Sequence, residues 1–78
     1  MGLSNHIQQI HTTKLGEERI RRNLKLGKID VVSYCQKILL DSNNQMYRKG
    51  KNWYCELGNI QLTIHASSYT IITAHLLS

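Results

Sequence analysis

Along residues 60–76, IQLTIHASSYTIITAHL, apolar and polar positions alternate. A period of two predicts two half-buried β-strands, joined here by a tight turn at Ser67, Ser68 and Tyr69. Ile60, Leu62, Ile64 and Ala66 alternate with Gln61, Thr63 and His65; after the turn Thr70, Ile72, Ala74 and Leu76 alternate with Ile71, Thr73 and His75. The turn length decides which sets meet. A two-residue turn would set Ile60 against His75 and Leu62 against Thr73, whereas a three-residue turn sets Ile60 against Leu76, Leu62 against Ala74 and Ile64 against Ile72. Because a one-residue slip turns a strand's side chains to the other face, core burial selects the odd-length turn. The opposite face then carries Gln61, Thr63, His65, Thr73 and His75, the first candidate surface for function.

Upstream of residue 45 the period changes to that of helices. Residues 3–10 form a short helix, capped by Ser4 or Asn5, with Ile7 and Ile10 facing inward. His11, Thr12 and Thr13 connect it to residues 14–24, KLGEERIRRNL, and a threonine there is placed to cap the second helix. Glu17 and Glu18 lie in its first turn and Arg21 and Arg22 towards its end, an order that suits the helix dipole. Leu15, Ile20 and Leu24 supply its apolar stripe, Gly16 either permits close packing or marks the helix start, and Gly27 is a natural stop. Asp30 caps a third helix over residues 31–40, with Val31, Val32, Cys35, Ile38 and Leu39 recurring at helical spacing.

The polar run Asp41, Ser42, Asn43, Asn44 ends the helices, and everything after it reads as sheet. Residues 45–49 form a strand, Gly50 a bend, residues 52–57 a second strand, and Gly58 and Asn59 the turn into the last hairpin. The order predicts one α+β domain over residues 1–78: two or three N-terminal helices, then a three- to four-stranded antiparallel β-meander with the helices packed on one sheet face.

At 78 residues the chain buries only about 60% of its unfolded surface, so stability is marginal and a homodimer would add to it. Ten Lys and Arg against five Asp and Glu give a formal charge of +5, which favours an anionic partner, nucleic acid first. The same excess also serves plain solubility. Cys35 and Cys55, in a helical and a strand pattern, make neither a disulfide framework nor a zinc site, and point to a reduced, cytoplasmic home. No signal peptide opens the chain, and no apolar run approaches the ~20 residues needed to span a bilayer, so no membrane partner is expected.

Three groups of residues could carry chemistry. His65 and His75 share the polar face with Thr73; as base and acid they could cleave RNA without a metal, and they equally fit two exposed strand histidines with no role. The stretch Arg48, Lys49, Gly50, Lys51, Asn52, Trp53, Tyr54 mixes cations for phosphates with aromatics for bases. By alternation only one of Trp53 and Tyr54 faces the core. Arg19, Arg22 and Asn23 form a polar helix face, which a solvated surface would also explain. His6 and His11 are five apart and do not align on a helix for a metal, and neither a P-loop nor a paired-carboxylate arrangement is present, so no metal or cofactor is expected.

The segments HTTKLGEERIRRNL, RKGKNWYCEL and HASSYTIITAH together resemble a family of short bacterial proteins of unknown function. That resemblance rests on Leu15, Gly16, Arg19, Ile20, Asn23 and Leu24, on Gly50, Lys51, Asn52 and Trp53, and on residues 68–74. It covers most of the chain and implies no activity. The arrangement of helices before a short sheet, with Ile72, Thr73, Ala74 and His75 in its last strand, is similar to the barnase, colicin and RelE-type ribonuclease group. This second resemblance implies active-site polar residues on the final strands.

These readings favour a basic nucleic-acid-binding protein of ribonuclease-like class, with RNA preferred over DNA and cleavage left open. Its site would combine His65, Thr73 and His75 with Arg48, Lys49, Lys51, Asn52 and Trp53, and with Arg19 and Arg22 on the helix. A second class is a winged helix-turn-helix regulator built on residues 14–24 and 31–40. Against it, Lys37 is the only cation on the outward face of the third helix. A third is a small non-enzymatic inhibitor from a phage or mobile element, docked on a protein or nucleoprotein.

Overall fold

The computed structural model describes the backbone of residues 2–77 and the side chains of residues 6–77. The chain opens with a 3-10 helix (Gly2–Gln9), followed by α1 (Lys14–Leu24), α2 (Val31–Leu40), β1 (Gln45–Lys49), β2 (Asn52–Leu57), β3 (Ile60–His65) and β4 (Ile71–Leu76). The strands form an antiparallel sheet in the order β1-β2-β3-β4. This is the α+β meander expected from the change of period.

The first segment is a 3-10 helix with a non-helical kink at His6, rather than an α-helix. So short a segment gains little from α-helical bonding alone. It does bury Ile7 and Ile10, and Gln36 Nε2 of α2 donates to the Ile7 carbonyl at 3.0 Å. The expected cap at Ser4 or Asn5 lies outside the described side chains.

Helix α1 starts at Thr13, whose hydroxyl accepts from the Gly16 N–H at 3.0 Å. It ends at Lys25, which takes a left-handed conformation (φ 57°), while Leu26 N–H bonds back to the Arg21 carbonyl at 3.0 Å. The stop therefore falls on Lys25, ahead of Gly27. Leu15 is 74% exposed and does not join the stripe; Ile20, Leu24 and Leu26 fill the core instead. Gly16 sits where a Cβ would come within 2.5 Å of Thr12 Oγ1, and that hydroxyl donates to the Ile71 carbonyl of β4 at 3.1 Å. The glycine thus lets the helix N-terminus press on the sheet edge. Asn23 Nδ2 adds a second tie, to the Ala74 carbonyl at 3.1 Å. Helix α2 is capped by Asp30, whose carboxylate accepts from Ser33 N–H at 2.9 Å, and it packs on the 3-10 helix and α1.

One sheet face closes the core. Cys55, Leu62 and Ala74 lie in register across β2, β3 and β4, as do Trp53, Ile64 and Ile71 in the next inward-facing row. Leu62, Ile64, Ile71, Ile20, Val31, Cys35 and Cys55 are almost wholly excluded from water. Full burial of an aliphatic side chain of this size contributes about 1.5–3 kcal/mol.

The last hairpin corrects the expected register at one point. Ile60 faces Leu76, Leu62 faces Ala74 and Thr63 faces Thr73 as predicted, but Ile64 faces Ile71, not Ile72. His65 N–H bonds to the Thr70 carbonyl at 2.8 Å and Tyr69 N–H to the His65 carbonyl at 2.9 Å, so the turn holds four residues, 66 to 69. Tyr69 supplies the left-handed conformation (φ 58°) that this turn needs. A four-residue turn alone would set Leu62 against Thr73. A bulge at Ile72 absorbs the extra residue and restores the apolar register beyond it. Ile71 is consequently 1% exposed and Ile72 41% exposed, the reverse of the alternation.

Candidate nucleic-acid interface

The sheet face away from the helices carries three cross-strand rows. Lys49, Asn52 and His65 form the row nearest the β1–β2 and β3–β4 turns. Tyr47, Tyr54, Thr63 and Thr73 form the middle row, and Gln45, Glu56, Gln61 and His75 the far one. The expected polar face is therefore real as a face. Thr63 at its centre, between Tyr54 and Thr73, is nevertheless only 7% exposed.

At the turn end, Arg48, Lys51, His65, Ala66 and Ser67 line an open pocket of about 320 Å³. Three features shape it. Gly50, with φ +62°, makes the tight β1–β2 turn, and Arg48 Nε donates to the Gly50 carbonyl at 3.0 Å. Ala66 N–H donates to the Lys51 carbonyl at 2.8 Å, which holds the two turns together. His65 Nδ1 accepts from the Ser67 N–H at 3.3 Å and lies 3.0 Å from Ser67 Oγ. With Nδ1 an acceptor, the neutral ring carries its proton on Nε2 and can donate there. Guanidinium, ammonium, imidazole N–H and hydroxyl groups in one pocket are the donor set that phosphate oxygens take.

Trp53 is not on this face. It lies half-buried on the helix side of the sheet, directly opposite Arg48 of β1, whose guanidinium carbon is 5.8 Å from its ring centre; Arg48 therefore reaches the turn-end pocket from that same side, steadied by the indole. The exposed aromatic surface is Tyr47 stacked on Tyr54, ring centres 5.3 Å apart and planes 18° from parallel. Sequence reasoning missed this pair, although folding the chain about Gly50 and Lys51 sets Tyr47 opposite Tyr54. Burial and the neighbouring Glu56 carboxylate raise the Tyr47 phenol above its ordinary value, so it remains a hydrogen-bond donor.

The other candidates are dispersed. His65 and His75 lie on one face, but His75 faces Gln61, four residues along β3 from His65, an interval of about 13 Å. Side chains stand roughly perpendicular to a sheet, so the rings keep that interval and each histidine has its own surroundings. Thr73 lies in the row between them. Arg19 and Arg22 are exposed on α1, which packs on β4, the sheet edge opposite Arg48. His6 stacks on Tyr69 at 4.7 Å. His11 Nδ1 donates to the Gln9 carbonyl at 3.0 Å, and His11 Nε2 meets Thr70 Oγ1 at 3.0 Å, so both rings tie the N-terminal segment to the β3–β4 turn. Among the described residues no three His, Cys, Asp or Glu side chains are grouped to hold a metal, and no helix is long and apolar enough to cross a membrane.

The fold and its surface define a small α+β domain in which three of the ten cations, Arg48, Lys49 and Lys51, lie at one end of a four-stranded sheet. The chain belongs to the family described as Protein of unknown function (DUF3781), whose model matches residues 4–75, in keeping with the resemblance to a family of unknown function. No curated protein and no solved structure matches it.

Proposed function

We propose that the protein binds single-stranded nucleic acid, RNA in preference to DNA, through the turn end of its sheet. The observation that carries this reading is the convergence of Arg48, Lys51, His65 and Ser67 on one pocket beside Lys49 and Asn52. The net charge of +5 supports it over a neutral partner. Asn52 and Ser67 offer hydrogen-bonding groups of the kind that meet a ribose 2′-hydroxyl, the group by which a protein tells RNA from DNA. Binding, rather than cleavage by a His65–His75 pair, is the better-supported activity, because the rows hold those rings about 13 Å apart.

The experiment is a binding comparison by fluorescence anisotropy among single-stranded RNA, single-stranded DNA of the same sequence and duplex DNA. The reading expects affinity in that order and a joint loss of all three on changing Arg48→Ala with Lys51→Ala. Preference for duplex DNA that survives that change but disappears with Lys37→Ala would instead support the helix-turn-helix alternative.

A further inference from the structure

Resting on that reading, we infer that Tyr47 and Glu56 form a base-reading subsite, and that it prefers an unpaired guanine. The face between the pocket and the far row has the spacing of a nucleotide. Tyr47 lies two residues along β1 from Lys49, an interval of about 7 Å, the order of the distance from a nucleotide's phosphate to its own base. A phosphate held at the turn end thus brings its base over the tyrosine row. Tyr47 is 44% exposed, lies on edge strand β1 and is backed by the parallel ring of Tyr54. Its solvent side is a rigid aromatic platform of the kind on which unpaired bases stack.

Glu56 gives the platform its specificity. It is the only acidic residue from position 45 to the C-terminus, and it faces the same side as the stacked tyrosines. A carboxylate on a phosphate-binding surface opposes the phosphate itself, so its use there is to accept from a base. Glu56 Oε2 accepts from Gln61 Nε2 at 2.9 Å and from the Tyr47 hydroxyl at 3.3 Å, while Oε1 has no hydrogen-bond partner among the described residues. Gln61 thus fixes the carboxylate at the hydroxyl end of the platform, with Oε1 unused and the longer Tyr47 bond to Oε2 open to displacement, so that both oxygens can meet a base. Guanine presents two adjacent donors, N1–H and N2–H2, on its Watson–Crick edge. Cytosine and adenine present one amino group each. Uracil presents a single N–H between two carbonyls, which a carboxylate repels.

The test uses fluorescent eight-nucleotide RNAs, all uridine except for one central G, C, A or U, measured by anisotropy. The central-G strand should bind about tenfold or more tighter than the all-U strand, the scale of one bidentate base contact. Glu56→Gln should erase that preference and leave the all-U affinity equal or higher. Tyr47→Ala should weaken every strand by about tenfold, and Tyr47→Phe should restore the stacking. Circular dichroism melts check that the variants fold; if Tyr47→Ala does not, the Glu56→Gln result decides alone. Equal binding of all four strands, lost in the Arg48→Ala, Lys51→Ala variant but untouched by Glu56→Gln, overturns the base-reading subsite and leaves RNA binding standing. Absence of binding to every strand overturns both.

Discussion

The bulge in β4 makes a sharp demand on two adjacent isoleucines. Ile71 faces Ile64 in the core at 1% exposure, and Ile72 is the bulged residue at 41%. Truncating a buried isoleucine to alanine removes its transfer free energy and leaves a cavity, at a cost of about 2–5 kcal/mol. For a domain of 78 residues the total stability is of order 4–12 kcal/mol, so Ile71→Ala removes a large share of it. In a domain of this size each kcal/mol moves the midpoint by about 4–8 °C, which gives a fall of at least about 8 °C. Ile72→Ala takes away a side chain already half in water and should cost about 0.5 kcal/mol or less, a shift of a few degrees. Thermal melts followed by circular dichroism compare the two directly. A larger loss at Ile72 would mean a three-residue turn without a bulge, equal losses would mean that both side chains are buried, and in either case the placement of His65 and the pocket would fail.

Other consequences follow from single contacts. Gly16→Ala should lower the melting temperature despite alanine's better helix propensity, because its Cβ would push Thr12 off the Ile71 carbonyl; a rise would show that α1 does not press on β4 as described. The Ser33 backbone N–H at the Asp30 carboxylate holds that carboxyl below its ordinary value. Its contribution should be fully present above about pH 4, near the unfolded carboxyl value, and lost as pH falls through the lower folded value. Asp30→Ala should therefore lower the melting temperature at pH 7 and converge with wild type in acid. Burial pushes the Cys35 thiol up to about 12 and the Cys55 thiol up to about 11. Neither should alkylate at pH 8 in native protein, and both should react once it is denatured, by intact-mass measurement.

The limits of α1 and α2, the first three strands and the inward set of β3 were legible because capping residues and strict periodicity act locally. Thr13, Asp30, Gly50 and Gly58 each mark a boundary by their own backbone chemistry. The β3–β4 turn was not legible, because its length is set by nonlocal bonds. The His11 segment runs beside residues 69–71, accepting from Ile71 N–H at 2.7 Å, and His65 folds its ring over the serines. Leu15 misled for a related reason: its spacing fits a stripe, but the helix presents Gly16 to the sheet edge instead. In the candidate site Arg48, Lys51 and His65 were named from residue type, yet nothing local showed that two separate turns bring them to one pocket. Trp53 drew attention by type, whereas alternation assigns it to the core side and leaves Tyr47 and Tyr54 outside.

The central claim is that the turn end of the sheet holds phosphates, and the salt dependence of RNA binding tests it most directly. Affinity for a single-stranded RNA should fall linearly on a double-logarithmic plot against salt, and each lost phosphate contact should flatten the slope by about 0.7. Arg48→Ala with Lys51→Ala is predicted to reduce the slope by about 1.4, with the melting temperature little changed. A slope that is the same in wild type and the double variant would contradict the account.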